Sequence, residues 1–349
     1  MYTCFVYVYP CSVDINPLQM NLLGVSMSMI PLDTSMKIGR DIEAFCLGNS
    51  WLYNLVPGIR IYLVSPETMD RVCPPERCRA ISMDRLGRVR ELTSLFLEHP
   101  SIENLDRLFR ELDSLSSYIK ALGCFVARRA TDLDVELPAI FIAPERVWEA
   151  SERIAPRLGI DVEKVFRYVM RSIVSHELSH AVTWSLSDGA TYDLYGKEIY
   201  VRLLEECVAQ LAAYLNQPRE DPYTYTMVID LLSRDTSIEY NLWRTALPYI
   251  HTPDLLHIFI HMYTNLVAGK PLRTTILIPL SPPLIPLPLR PRYFLLYYYD
   301  VLHLYFASLG PEWHNLFHKI VERSDPRAQQ TLAKLLTTSL LTNIAKIYT

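Results

Sequence analysis

The sequence has no long uninterrupted apolar segment and no basic residue in its first thirteen positions, MYTCFVYVYPCSV. A secretory signal begins with basic residues, so no signal peptide is predicted. The most apolar segment, 293–309, contains Asp300 and His303 and is short for a bilayer span. We therefore expect a cytoplasmic chain without a membrane partner.

Neither sign of charge is in large excess. A formal net charge of −4 over 349 residues gives no basic surface for nucleic acid, so no nucleic-acid partner is expected. Lysine (8) and glutamine (5) are scarce, whereas arginine (26) and proline (24) are frequent, which predicts a thermophilic source. Composition does not indicate the oligomeric state.

The seven cysteines do not form two pairs with the spacing of a zinc finger, so a structural zinc ion is not expected. An odd number of cysteines in a chain without a signal peptide favours reduced thiols over disulfides. Cys73 and Cys78, and likewise Cys4 and Cys11, are close enough in sequence to close a small loop. We expect thiols, with these two loops as the alternative.

The clearest chemical signal is the run His176-Glu177-Leu178-Ser179-His180. Its surroundings, SIVSHELSHAVTWSLS, are predicted to be helical, and Glu177 is the only charged side chain there. Histidines four residues apart share one face of a helix and can hold a zinc ion through neutral imidazoles. A buried carboxylate between them is accounted for by a metal-activated water, from which Glu177 takes a proton. We predict one Zn²⁺ per chain, bound by both histidines.

A catalytic zinc ion usually has three protein ligands and one open position. The sequence lacks the histidine that would follow six residues after the motif, but the next predicted helix, 197–216, contains Glu205 and Glu206. A helical wheel places Glu205 at the border of the apolar face. Glu206 shares its face with Ala209 and Ala213, whose small side chains allow close helix packing. The residues themselves leave both glutamates open as the third ligand.

HELSH followed by LEECVAQLAAY resembles the gluzincin branch of zinc metallopeptidases over about residues 172–216. In that branch a small residue stands three positions after the ligand glutamate, as it does after Glu206. The resemblance implies that His176, His180 and Glu206 bind zinc and that Glu177 is the general base. It implies a zinc-dependent peptidase, expected to be an endopeptidase, that hydrolyses a peptide or protein substrate with metal-activated water.

Gluzincins also use a downstream histidine or tyrosine to stabilise the oxyanion. The candidates for this role are Tyr240, His251, His257 and His261. Two further histidine pairs with a spacing of four, expected to be structural, are His257/His261 and His314/His318. The alternative function is a non-catalytic zinc-containing regulatory or binding protein with a degenerate peptidase fold. The large flanking regions favour this alternative, whereas the presence of a general base speaks against it.

The predicted fold class is α+β, a mostly helical zincin-like metallopeptidase core with a small mixed sheet and a helical C-terminal region. The predicted regions are 1–135 (α+β), 136–217 (core) and 218–349 (helical, with a proline-rich extended segment at 277–291). Strands are predicted near 3–9, 23–31, 59–64 and 137–142. Helices are predicted over 83–98, 102–122, 293–309, 311–323 and 326–347. Residues 140–142 are predicted to be an edge strand that aligns the substrate backbone, with an interior strand as the alternative.

Overall fold

The computed structural model describes residues 7–9, 51–56, 58–73, 78–128, 135–234, 236–270, 311 and 326–348. Within these ranges the chain is mostly helical and contains a small mixed sheet, which confirms the α+β class. The predicted strand at 23–31, the proline-rich segment 277–291 and the predicted helix at 293–309 lie outside the described residues. The predicted helix at 311–323 also lies outside them, except for Pro311, and so do His314 and His318.

The described strands all lie before residue 143, and the described elements after it are helical. The strands are β1 (Tyr7–Tyr9), β2 (Arg60–Leu63), β3 (Arg79–Ile81), β4 (Ser116–Tyr118), β5 (Gly123–Val126) and β6 (Ala139–Ile142). The helices are α1 (Trp51–Leu55), α2 (Pro66–Val72), α3 (Leu86–Glu98), α4 (Ile102–Ser114), α5 (Pro144–Leu158), α6 (Val162–Leu186), α7 (Ala190–Tyr195), α8 (Ile199–Leu215), α9 (Pro222–Arg234), α10 (Trp243–Ala246), α11 (Pro253–Val267) and α12 (Pro326–Ile347). Two 3-10 turns cover Met83–Arg85 and Glu239–Asn241.

The larger sheet has the strand order β1-β2-β6-β5. Strand β6 runs parallel to β2, with Ile140 opposite Ile61, and antiparallel to β5, with Phe141 opposite Cys124. The prediction that 140–142 form an edge strand is therefore wrong, and the alternative, an interior strand, is what the structure contains. Both edges of β6 are already paired, so its backbone groups are not available to a substrate. Among the described strands of this sheet, β1 and β5 take the edge positions, and β5 is the one next to β6.

The boundaries of two helices show where local sequence signals suffice and where they fail. Ser65 accepts a hydrogen bond from the backbone N–H of Thr68 at 3.3 Å and caps α2, which begins with Pro66. Helix α4, in contrast, was expected to reach residue 122 but ends at Ser114. The residues that follow form β4 and β5, because each pairs with a strand distant in sequence.

Helix α6 is 25 residues long and lies in the middle of the structure. The carboxylate of Asp161 caps its first turn by accepting hydrogen bonds from the N–H groups of Glu163 and Lys164 at 2.8 and 3.2 Å. Helices α5 and α8 pack along it, and β5 lies beside it. Most side chains between residues 172 and 183 are consequently buried, polar ones included. Polar side chains in such a position need partners, and those partners define the site.

One hydrophobic core connects helices from α1 to α12, and a smaller cluster lies between the sheet and α2.

In the smaller cluster Cys73 and Cys78 form a disulfide, so the expectation of thiols is wrong at this pair. Composition argued against disulfides, but the short loop brings the two Cα atoms within 6.5 Å, a distance that a disulfide spans. Cys124 and Cys207 are not part of a disulfide, and Cys4 and Cys11 lie outside the described residues. A search of the described helices finds none that is long and apolar enough to cross a bilayer.

Candidate metal centre

His176 and His180 present their Nε2 atoms to each other on the same face of α6. The two atoms are 3.1 Å apart, and the ring centroids are 4.9 Å apart. Both side chains are largely buried. The spacing of four residues thus places two imidazole nitrogens at one point, as predicted.

Glu206, on the adjacent helix α8, completes the group. Its Oε2 lies 3.1 Å from Nε2 of His176, and its Oε1 lies 3.6 Å from Nε2 of His180. The ligand atoms of the three residues lie within 4.8 Å of one another, so the group could hold a metal ion. Two nitrogens and one carboxylate oxygen are donors that suit zinc. Oε2 of Glu206 is buried, and the polar atom 3.1 Å from it is Nε2 of His176, itself a candidate ligand atom, which fits an oxygen that could bind a cation.

The charges within this group are strongly coupled. Burial raises the pKa of Glu206, but the charges of His176 and His180 and hydrogen bonds from His176 and Tyr195 outweigh it and lower that pKa to about 2. Burial lowers the pKa of His180, but Glu205, Glu206 and Glu177 together raise it to about 9. Three carboxylates around two imidazoles thus create a site that attracts positive charge. A metal ion provides that charge when it displaces the imidazole proton.

Glu205 has a different place from its neighbour in sequence. Its Oε2 lies 2.9 Å from Nδ1 of His180 and accepts a hydrogen bond from Thr183 Oγ1 at 2.7 Å. The hydroxyl of Tyr263 on α11 donates to its Oε1 at 2.7 Å. Glu205 therefore contacts the far nitrogen of the ring, while Glu206 lies beside the two Nε2 atoms. Of the two glutamates, the geometry favours Glu206 as the third ligand.

Glu177 points from α6 toward β5. The backbone N–H of Phe125 donates a hydrogen bond to its carboxylate, and a Cβ atom added at Gly123 would lie 3.0 Å from its Oε1. Burial raises the pKa of Glu177 above its ordinary value, although the charges of His176 and His180 oppose the shift. A carboxylate with a raised pKa beside a candidate metal site is suited to accept and return a proton. Its neighbour β5 is one of the two edge strands of the described sheet.

Two tyrosines complete the site. Tyr195, on α7, donates a hydrogen bond from its hydroxyl to Oε1 of Glu206. The ring of Tyr240 lies 5.6 Å from the ring of His176. Burial and the charge of Glu206 raise the pKa of both tyrosines well above the ordinary value, so both hydroxyls remain donors. Tyr240 was among the predicted oxyanion residues. Tyr195 was not, because a tyrosine in the short segment between two ligand helices carries no recognisable pattern.

Two cavities adjoin the group. A cavity of about 80 Å³ includes the three ligands, Glu177, both tyrosines and the Cys73–Cys78 disulfide in its wall. A second, of about 180 Å³, shares His176, Glu177 and Tyr240 and extends past Leu122, Ile173 and Gln210. Both follow the chain from Ile119 to Gly123, the approach to β5. Glu177 thus lines both cavities, and both cavities run along the backbone that leads to β5.

The other predicted oxyanion residues lie elsewhere. His251 is exposed, and neither His257 nor His261 lines either cavity at the metal group. Burial lowers the pKa of His257, and burial together with the charge of His257 lowers that of His261 to about 4. These two histidines face each other on α11, with their Nε2 atoms 3.0 Å apart.

Comparisons with protein-family models, with curated proteins and with solved structures find no match to this chain.

Proposed function

We propose that the protein is a zinc-dependent peptidase with His176, His180 and Glu206 as the metal ligands and Glu177 as the general base. The observation that carries the proposal is the position of Glu177, a buried carboxylate between the metal group and the edge strand β5. A purely structural metal site needs no such base. The same arrangement supports a zincin-like core, in which a helix with two ligands lies beside a sheet and a second helix provides the third.

Each residue has a task in the proposed reaction. When bound, zinc lowers the pKa of its water and polarises the peptide carbonyl. Glu177 takes a proton from the attacking water and then passes it to the leaving amine. Tyr240, kept protonated by burial, is the proposed donor to the negative charge that develops on the carbonyl oxygen. Tyr195, also kept protonated, donates its hydrogen bond to the ligand Glu206.

Strand β5 replaces β6 as the proposed guide for the substrate backbone. No described strand pairs with the outer edge of β5, and the cavities continue along the residues before it. An extended peptide can add to such an edge through main-chain hydrogen bonds. This would place its scissile bond between the metal ligands and the backbone of Gly123, next to Glu177.

The test is the variant Glu177→Gln, with the exposed Glu149→Gln as its control. Purified without chelator or affinity-tag metal, both should contain about one zinc per chain. Glu177→Gln should lower kcat/KM on denatured protein and peptide substrates by about 10²–10⁴-fold, because the proton transfer is lost. Equal activity of this variant and the control would refute the assignment of Glu177.

A second function, a non-catalytic zinc-containing regulatory or binding protein, is favoured by the enclosure of the group. The side chains of His176 and Glu206 are only 8% and 4% exposed, and the cavity around them is small. Persistent inactivity toward unfolded proteins and peptides, with the metal site fully occupied, would favour this second function.

A further inference from the structure

The histidine pair on α11 repeats the geometry of the pair at the metal centre. The Nε2 atoms of His257 and His261 are 3.0 Å apart, against 3.1 Å for His176 and His180. The ring centroids are 4.7 Å apart, against 4.9 Å. In both pairs the rings are steeply inclined, at 61° and 76°. Two imidazoles on α11 thus converge on one point as the zinc-ligand candidates do.

We propose that His257 and His261 form a second metal-binding site, specific for a transition-metal cation that prefers imidazole nitrogen, such as Ni²⁺, Cu²⁺ or Zn²⁺. Imidazole ligands select these ions, whereas Mg²⁺ and Ca²⁺ prefer oxygen ligands. The site goes beyond the proposed peptidase and does not depend on it.

The surroundings of the pair suit a cation. Both histidines are half-buried, so water can complete the coordination that two side chains begin. Asp254 lies one turn earlier on the same helix and acts on His257 through its negative charge. A site of this kind holds its ion more weakly than a three-ligand site, since fewer protein groups contribute.

The histidine pair on α11 lies close to Trp51 and on the same helix as a residue that contacts the first metal group. Trp51 of α1 lies beside it, with its ring centroid 6.0 Å from that of His257. Two residues after His261, the hydroxyl of Tyr263 supports Glu205 at the metal centre. An ion bound by His257 and His261 would therefore be held by α11, the helix whose Tyr263 also supports Glu205 beside the first metal group.

The test is a titration of Ni²⁺ into purified protein dialysed against metal-free buffer, read by equilibrium dialysis and by tryptophan fluorescence. The double variant His257→Gln/His261→Gln should bind one Ni²⁺ per chain fewer than the wild type. The exposed His251→Gln should match the wild type. Because other histidines of the chain also bind Ni²⁺, the difference between variants is the informative quantity. Mg²⁺ and Ca²⁺ should give no signal.

The fluorescence of Trp51, which lies beside His257, reports specifically on binding at this histidine pair. Ni²⁺ should quench the fluorescence of the wild type, and Trp51→Phe should lose most of that quenching while it still binds the ion. If the double variant is unfolded by circular dichroism, each single variant should weaken the binding by at least about 10–100-fold, the loss typical of a missing supporting group. Equal Ni²⁺ binding by the wild type and the folded histidine variants would overturn the proposal, and so would an equal loss in His251→Gln.

Discussion

Oε2 of Glu205 lies 2.9 Å from Nδ1 of His180, on the opposite nitrogen of the ring from the one that faces Glu206. A carboxylate at this position keeps the proton on Nδ1, which leaves the Nε2 lone pair available to a metal ion. Thr183 and Tyr263 donate to the same carboxylate and fix its orientation. In the proposed zinc site, the adjacent residues of α8 would thus have separate tasks: Glu206 would bind the ion, and Glu205 would orient the ligand His180.

Replacing Glu205 by Ala should weaken zinc binding by about 10–100-fold, because His180 loses the group that orients it. Glu205→Gln should recover part of the affinity, since its amide oxygen can still accept the Nδ1 proton. The measurement is chelator competition on folded protein, with the exposed Glu220→Ala as control. Unchanged affinity in Glu205→Ala would show that this contact does not position the ligand.

Replacing Tyr195 should mainly change zinc affinity, whereas replacing Tyr240 should mainly change turnover. Tyr195→Phe removes a hydrogen bond to Glu206, so we expect weaker zinc binding and a smaller effect on turnover at saturating metal. Tyr240→Phe should keep the zinc affinity but lower kcat by about 10²–10³-fold if its hydroxyl stabilises the oxyanion. Metal titrations and steady-state kinetics of both variants test these roles. Lower kcat in Tyr195→Phe together with weaker zinc binding in Tyr240→Phe would assign the two roles the other way round.

The ligand helices could be read from the sequence because their signals are local. The HExxH spacing and the apolar pattern lie within single helices, so α8 and the part of α6 from residue 172 onward were expected where they occur, whereas the start of α6 at Val162 was not predicted. The choice between Glu205 and Glu206 could not be read in this way. Helix α8 is buried on all sides along most of its length, and a helical wheel cannot order residues when no face is exposed.

Strand β5 was missed for a related reason. Its sequence, Gly-Cys-Phe-Val, is short and contains a glycine, so its strand signal is weak. The strand exists because it pairs with β6, about sixteen residues later in the chain. Long-range pairing of this kind leaves little trace in a single sequence, although it determines which strand borders the metal group.

Gly123 should not tolerate a side chain. A Cβ atom there would lie 2.6 Å from Cγ2 of Ile173 and 3.0 Å from Oε1 of Glu177. Gly123→Ala should therefore lower the free energy of unfolding by about 1–3 kcal/mol and reduce turnover by displacing Glu177. Denaturant unfolding and peptide hydrolysis test both effects.

The matched control is Gly87→Ala in α3, where an added Cβ meets nothing within 4 Å. It should keep full activity and stabilise the protein by about 0.5–1 kcal/mol, because alanine favours helix over glycine. Equal stability and activity of the two alanine variants would show that the close packing of Glu177 against β5 contributes to neither.

Glu239 should make stability depend on pH. Its carboxylate is buried and accepts two hydrogen bonds from the N–H of Ile81, at 3.0 and 2.9 Å. Burial raises the pKa of Glu239 from 4.5 to about 7, although Arg202 opposes the shift. Between these values the folded chain keeps a proton that the unfolded chain releases. The free energy of unfolding should therefore fall as pH rises from about 5 to 7, by at most about 3 kcal/mol.

Glu239→Gln cannot ionise and should lose this part of the pH dependence, whereas the exposed Glu98→Gln should retain it. Denaturant unfolding of chelator-treated protein at several pH values between 5 and 8 measures the effect. Identical pH profiles for Glu239→Gln and the wild type would mean that Glu239 titrates alike in the folded and unfolded chain.

The Cys73–Cys78 disulfide lies in the wall of the cavity beside the candidate metal ligands, so we expect the site to respond to redox conditions. Thiolates exchange with disulfides and also bind zinc. If zinc is bound as proposed, a dithiol added to an assay buffer would act on the site twice, by reducing the disulfide in its wall and by competing for its ion. The redox potential of the surroundings would then be a variable of this site, alongside pH and metal concentration.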